Sequence, residues 1–339
     1  MGPAFRAIYD AMNDVDDPRA MFDDCAVMDV GGREVIRATG GDRVAFLHRL
    51  LTGNVAGTAP GTGSRSLLLN LKGHVVSDLR VFALPDEVRL VVAAGQGGPS
   101  AEALSKYAIM DDFAARVDPT LNLLALHGPR ALERLGAAGV SLPDDFGRGG
   151  LWSHLEVPWA GGGSLWAVHA RAFGAEGIWL FGPDTVRASL MARLGSAGVR
   201  RLAPAIAEAL RIENGEPVWG VEITDDYFPM EIGLDPAIDY SKGCYLGQEP
   251  IVRIRDRGHI NWRLVRLRVR DDVIPARGDQ LESDAKPRAG RVTSAARLPG
   301  EAPAALALLH VSVPAGAEIR IKHGEAVLNA EVQVVPPAA

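Results

Sequence analysis

Apolar and polar residues alternate along this chain with two periods, near two and near 3.6, and together they outline three stretches. Ala26 to Thr39 reads as a short strand–turn–strand with Gly31-Gly32 at the turn. Asp42 then predicts a capped helix with Val44, Phe46, Leu47, Leu50 and Leu51 on one apolar face. Ser64–Asn70, Val75–Ala83 and Glu87–Ala93 read as three strands joined by turns at Lys72-Gly73 and Pro85-Asp86. A helix over 99–111 closes this unit. The order then partly repeats. A strand over 121–126 leads to a helix opened by Gly128-Pro129, where proline fits the first turn because its missing N–H is an orphan there anyway. Strands over 165–170 and 178–181 follow, then helices from Pro183-Asp184 and over 204–212.

After Asn261 the period changes. Val265, Leu267 and Val269 alternate with Arg266, Arg268 and Arg270, which predicts a strand with one wet face. Short strands over 290–296, 304–313, 318–322 and 331–335, split by Gly and Pro, predict a small all-β barrel or sandwich and a tail at 336–339. The expected fold class is α+β. The expected domains are a first α+β unit at 1–117 with a polar, acidic lead, a second at 118–262, and a C-terminal β-barrel at 263–339.

Composition narrows the function. Gly 38 and Pro 22 in 339 residues suit many strands and turns better than a helical bundle. A net charge of -6 argues against wholesale nucleic-acid coating and leaves room for a local basic groove. The seven arginines of 253–270 are either a solvated face or a patch for phosphate, polyglutamate or RNA. Two cysteines, Cys25 and Cys244, make no disulfide framework and cannot supply the four ligands of a standard iron–sulfur cluster. The eight histidines are scattered singly, so no metal site is expected. The first twenty residues carry Asp10, Asp14, Asp16 and Asp17 without a long apolar run, and no membrane-length apolar stretch occurs. A cytoplasmic monomer is the expectation.

Cys244 has Gly243 before it, Gly247 three residues after it and Lys242 two before it. Glycines permit a tight turn, and a nearby ammonium and a helix start at Gln248-Glu249 would favour the thiolate. The competing reading is a buried small hydrophobe. Pro217, Gly220, Glu222, Pro229, Glu231 and Gly233 form a carboxylate-rich loop, either a pocket wall or a structural connection. No nucleotide-binding glycine motif or hydrolase signature appears in a convincing context.

Lys242-Gly243-Cys244-Tyr245-Leu246-Gly247-Gln248-Glu249 resembles the K-G-C-[FY]-x-G-Q-E signature of YgfZ-type folate-binding proteins, relatives of the glycine-cleavage T-protein, an aminomethyltransferase. Phe46 to Val55, the Leu68–Leu79 hairpin and Arg211 to Gly233 resemble further segments shared across that superfamily. The resemblance implies a T-protein-like three-domain ring around a central channel that binds tetrahydrofolate or a derivative. Three departures favour the cysteine branch over the methyltransferases. Cys244 stands where T-proteins look to have aspartate, Ser77 replaces one of two paired aspartates, and Ala175 stands where a pterin-holding glutamate would be.

The resemblance therefore implies a tetrahydrofolate-binding protein that supports assembly or repair of iron–sulfur clusters in client enzymes, some of which modify tRNA. On that reading Cys244 is the functional thiol at the channel mouth and Asp78 a second reacting group. Arg211 meets the folate tail, and Asp78 or Glu213 accepts the pterin's donor edge. Lys242, Tyr245 and Gln248 lie beside the ligand. Implied partners are folate and client iron–sulfur proteins or cluster carriers; tRNA contact through the arginine-rich segment is a third, separate expectation from the residues themselves. The enzymatic alternative is folate-dependent aminomethyl transfer with a lipoyl-carrying partner.

Overall fold

Three β-sheets organise the chain in the computed structural model, which describes residues 14–28, 30, 32–159, 163–284 and 286–336. The first sheet is antiparallel throughout, in the order Gly63–Leu69, Val75–Ala83, Val88–Ala93, Arg33–Thr39 and Ala114–Asp118. Its alternation sorts side chains between two cores. Ile36, Leu79, Val81 and Leu90 face the helices Arg43–Leu50 and Gly97–Ser105, whereas Val35, Phe82 and Val91 face the second sheet.

The second sheet has seven strands. Their order is Asp14–Val15, Arg200–Leu202, Ala26–Met28, Asn122–His127, Ala175–Gly182, Ser164–Ala172 and His154–Pro158. One face packs on the first sheet through Trp152, Trp166, Trp179 and Phe181, with Phe82 edge-on to Trp166 at 4.9 Å between ring centroids. The helices Ala131–Ala137 and Asp184–Ser196 cover its other face. The last six strands close into a barrel: Trp262–Val269, Ala304–His310, Lys286–Ala296, Gln280–Ser283, Glu318–His323 and Ala326–Val334. Two mixed α/β layers and a closed β-barrel thus follow one another, in the order the periodicity predicts.

Several local expectations change. Ala26 to Thr39 is not one hairpin, because Ala26–Met28 joins the second sheet and Arg33–Thr39 the first. All three residues of Ala26–Met28 are buried, so that strand needs neighbours on both edges and cover on both faces. Residues 14–28 accordingly sit with the second sheet, although they precede the first in sequence. Gly31 of the predicted turn, most of the acidic lead and the last three residues of the tail lie outside the described residues. Asp42 makes no cap to its own helix; its Oδ2 accepts from the Asp112 backbone N–H at 2.8 Å. The helix expected over 99–111 is shorter, Gly97–Ser105, and is followed by the strand Ala114–Asp118. The barrel strand Gln280–Ser283 was too short and polar for alternation to mark.

The segment between the helix Pro204–Glu213 and the barrel has little regular structure, yet it is not loose. Ile223, Ile232, Leu234, Tyr245 and Ile251 pack on Leu67, Leu69 and Val75 of the first sheet and on Leu308 of the barrel. Its buried carboxylates are structural. Glu231 accepts from the backbone N–H groups of Phe228, Asn261 and Trp262, and Glu222 accepts from Ser294 Oγ at 2.6 Å and from the Val218 N–H. The pocket-wall reading of these two glutamates is therefore replaced by a role in tying loop to barrel.

Candidate functional site

A cavity of about 340 Å³ opens where the two sheets meet the helix Pro204–Glu213. That size is within the range of small-molecule sites. Its wall carries the aromatic side chains Trp152, Phe173 and Trp179, five arginines (33, 65, 80, 171 and 211), and the carboxylates Glu208 and Glu216. Trp152 and Phe173 have φ of 71° and 53°, the two positive values outside glycine among the described residues. Left-handed backbone is costly for bulky side chains and concentrates at ligand sites.

The arginines differ in what holds them. Arg65 reaches Asp78 through Nε at 2.8 Å and Nη2 at 2.9 Å, and Arg80 reaches the same carboxylate at 2.7 Å. Burial would raise the Asp78 pKa, but the two guanidinium groups outweigh it and hold the carboxyl well below the usual range. Arg80 is itself pushed down to about 9 by burial. Arg211 is fully engaged. Nε and Nη2 bind the two oxygens of Glu208, Nη1 binds the Glu216 carbonyl and Glu222, and Nη2 also binds Ser294 Oγ. Burial would lower its pKa, but Glu208, Glu222 and Glu216 hold it above its ordinary value. Arg171 makes no ion pair among the described residues.

Strand alternation clarifies the paired positions 77 and 78. Ser77 lies on the helix face, where its Oγ meets Ser100 Oγ at 2.7 Å, and Asp78 lies on the face of Arg65 and Arg80. The residue kept as aspartate is the one beside the cavity. Losing an aspartate at 77 removes nothing from the cavity wall, so that departure no longer weighs against aminomethyl transfer.

The signature octapeptide lies elsewhere. None of Lys242, Cys244, Tyr245 or Gln248 lines the cavity. Lys242 Nζ donates to the carbonyls of His48 at 2.5 Å, Leu51 at 2.6 Å and Gly53 at 2.9 Å, capping the end of the helix Arg43–Leu50. Burial lowers its pKa to about 8, so it is an ammonium at neutral pH. Tyr245 is buried in the core, its ring under Lys242 Nζ at 5.5 Å from the centroid, and burial raises its pKa to about 12. Gln248 opens the helix Gln248–Arg257, as expected. Cys244 is exposed, which sets aside the buried-hydrophobe reading, and Cys25 is the buried thiol. Lys242→Ala should therefore lower stability by about 2 kcal/mol, the scale of a charged donor shared among carbonyls, in a urea titration.

Of the other predicted site residues, Glu213 faces the barrel and pairs with Arg266 at 2.9 Å. Glu208, five residues before it on the same helix, and Glu216, three residues past the helix end, are the carboxylates that reach the cavity. The arginines of 253–270 divide between a helix and a barrel strand. Arg253 pairs with Glu249, Arg255 with Asp256 and Arg270 with Glu318, so part of that positive charge is already neutralised. The cavity residues that sequence reading missed had one visible signal. Arg65 and Arg80 are cross-strand partners in a hairpin that is otherwise mostly buried, and charge at such positions asks for a reason. No sequence signal marked Trp152, Phe173 or Trp179.

Residues 11–242 match the family described as the GCVT N-terminal domain. An aminomethyltransferase of Cutibacterium acnes is 30% identical over 251 residues, covering 70% of this chain and 66% of that protein. An aminomethyltransferase of Ralstonia pickettii is 27% identical over 354 residues, covering 95% of this chain and 88% of that protein. A putative chloroplastic transferase of Arabidopsis thaliana is 26% identical over 293 residues, covering 85% and 66%. Among solved structures, glycine cleavage system aminomethyltransferase T from Bartonella henselae has the same fold, with a TM-score of 0.83 at 23% identity, covering 94% of this chain and 88% of that one.

Proposed function

The chain belongs to the GCVT family, and from that premise we propose that it binds a tetrahydrofolate in the central cavity and offers Cys244 to client iron–sulfur proteins. The cavity carries the first part of this reading. Trp152, Phe173 and Trp179 belong to an aromatic wall suited to a flat ring, and Arg171, which makes no ion pair among the described residues, is the arginine for the carboxylates of a glutamate tail. Arg211, whose donors are already taken, serves instead to fix the helix Pro204–Glu213 to the barrel. Tetrahydrofolate added to purified protein should quench its tryptophan fluorescence saturably. Arg171→Ala should weaken binding about tenfold, the scale of one charge-assisted contact.

Support for the thiol is its exposure, with Gly243 beside it leaving open space. Because Cys244 does not line the cavity, folate and thiol act at separate places, which fits a folate-gated adaptor whose thiol meets a client's cluster better than direct thiol chemistry on the folate. Cys244→Ser should leave folate affinity and thermal midpoint unchanged. In cells that depend on this protein, the same variant should depress iron–sulfur enzyme activity. Unchanged activity there removes the thiol from the function.

A second reading, folate-dependent aminomethyl transfer, is favoured by Asp78 on the cavity side and by relatives that are aminomethyltransferases. Formation of methylene-tetrahydrofolate and ammonia, from tetrahydrofolate and an aminomethyl-loaded lipoyl carrier, decides for it.

A further inference from the structure

Building on the folate reading of the central cavity, we propose that Glu216 is the residue that recognises the pterin ring, by accepting its donor edge. A pterin presents two parallel N–H donors, the exocyclic amino group and the adjacent ring N–H. Their natural complement is a carboxylate whose oxygens are not already spent. Three carboxylates lie in or beside the wall. Both oxygens of Glu208 bind Arg211, and both oxygens of Asp78 bind Arg65 and Arg80.

Glu216 differs from both. Its Oε1 accepts the Phe173 backbone N–H at 2.6 Å, and among the described residues its Oε2 has no hydrogen-bond partner and no cation at ion-pair distance. Each carboxylate oxygen can accept twice, so both remain open to a pair of parallel donors. The bond to Phe173 also fixes the side chain. It is made by Phe173, a residue in left-handed backbone next to Gly174 that itself belongs to the aromatic wall. Trp179 Nε1, buried in the same wall, also lacks a partner among the described residues.

This placement accounts for the missing glutamate at Ala175. The turn at 173–175 still has a carboxylate beside it, but it arrives from the segment after the helix Pro204–Glu213. Ala175 itself faces a different, outer groove. Glu216 escapes sequence reading because it occupies a variable place in the R-x-E-x-G-x-P pattern, three residues beyond Glu213, whose own side chain faces the barrel.

The test compares wild type and Glu216→Gln by equilibrium binding of two probes, tetrahydrofolate and p-aminobenzoylglutamate, which carries the tail but no pterin. Glutamine keeps a carbonyl for the Phe173 N–H while setting an amide donor against the pterin's donors. Tetrahydrofolate should bind about tenfold to a hundredfold more weakly. Affinity for p-aminobenzoylglutamate should change by no more than about twofold, and the thermal midpoint should stay in place. Equal tetrahydrofolate affinity in the two proteins overturns the role of Glu216 alone. Loss of both probes with a lowered midpoint overturns it too, in favour of a purely structural bond. Failure of wild type to bind tetrahydrofolate overturns the cavity reading itself.

Discussion

Asp78→Ala should destabilise the protein by about 3–5 kcal/mol, the range seen when one partner of a buried ion pair is removed. The carboxylate is 8% exposed and is the shared counter-ion of Arg65 and Arg80, whose side chains are 7% and 11% exposed. Removing it leaves two guanidinium groups facing one another across the hairpin without the carboxylate they share. The urea midpoint reads the loss. Replacing Arg80 by Leu in the same background should recover part of it, because one of the stranded charges then disappears. The pH dependence has a definite sign. The Asp78 pKa is depressed in the folded protein, so its contribution is complete above the unfolded value near 3.8 and is lost as pH falls below that value towards the folded one. Wild type and variant should therefore converge in stability under acid conditions and differ fully at neutral pH. A variant as stable as wild type at pH 7 would show that the triad does not hold the hairpin.

Gly247→Ala should cost about 2–4 kcal/mol, as strain at a special backbone position adds to a steric clash. Gly247 has φ +77°, and a Cβ there would lie 2.4 Å from the Asn70 carbonyl oxygen and 2.9 Å from Leu69 Cβ. The turn after Leu69 and the start of the helix Gln248–Arg257 are pressed together at this point, and a Cβ on Gly73 would lie 3.1 Å from the Pro250 side chain. The other signature glycine behaves differently. Gly243 does not have a left-handed φ, and a Cβ there would meet no atom within 4 Å. Gly243→Ala should shift stability by less than about 0.5 kcal/mol. Parallel thermal melts separate the two cases. Equal losses would mean that Gly243 is held by the fold as tightly as Gly247. Lost function at unchanged stability would instead mean that a partner approaches the thiol closely at Gly243.

Much of the architecture was legible because it is local. Period-two runs such as Val75–Ala83 and period-3.6 runs such as Arg43–Leu50 state which face each element buries, and Pro and Gly mark where each stops. The signature octapeptide was likewise visible as a contiguous string, and its helix start at Gln248 appears where the sequence places it. The errors came where a local reading was asked a long-range question. Ala26–Met28 and Arg33–Thr39 look like one hairpin because they are adjacent. Their burial patterns differ, and two separate sheets claim them.

The site shows the same division more sharply. The pattern points to Arg211 and Glu213 as ligand contacts. Arg211 does line the cavity, with its donors also held by Glu208, Glu222 and Ser294, whereas Glu213 faces Arg266 of the barrel, 53 residues further along the chain. Sequence by itself determined the order of elements, the three-part plan, the family resemblance and the presence of one thiol in a glycine-flanked turn. Tertiary structure alone decided that this thiol is exposed and apart from the cavity, that Asp78 rather than Ser77 stands on the cavity side, and that Glu216 keeps an oxygen without a partner among the described residues. The reason is physical: periodicity reports which way a side chain points from its own backbone, whereas its available charge and hydrogen-bonding capacity depend on neighbours that only folding brings within 3 Å or so.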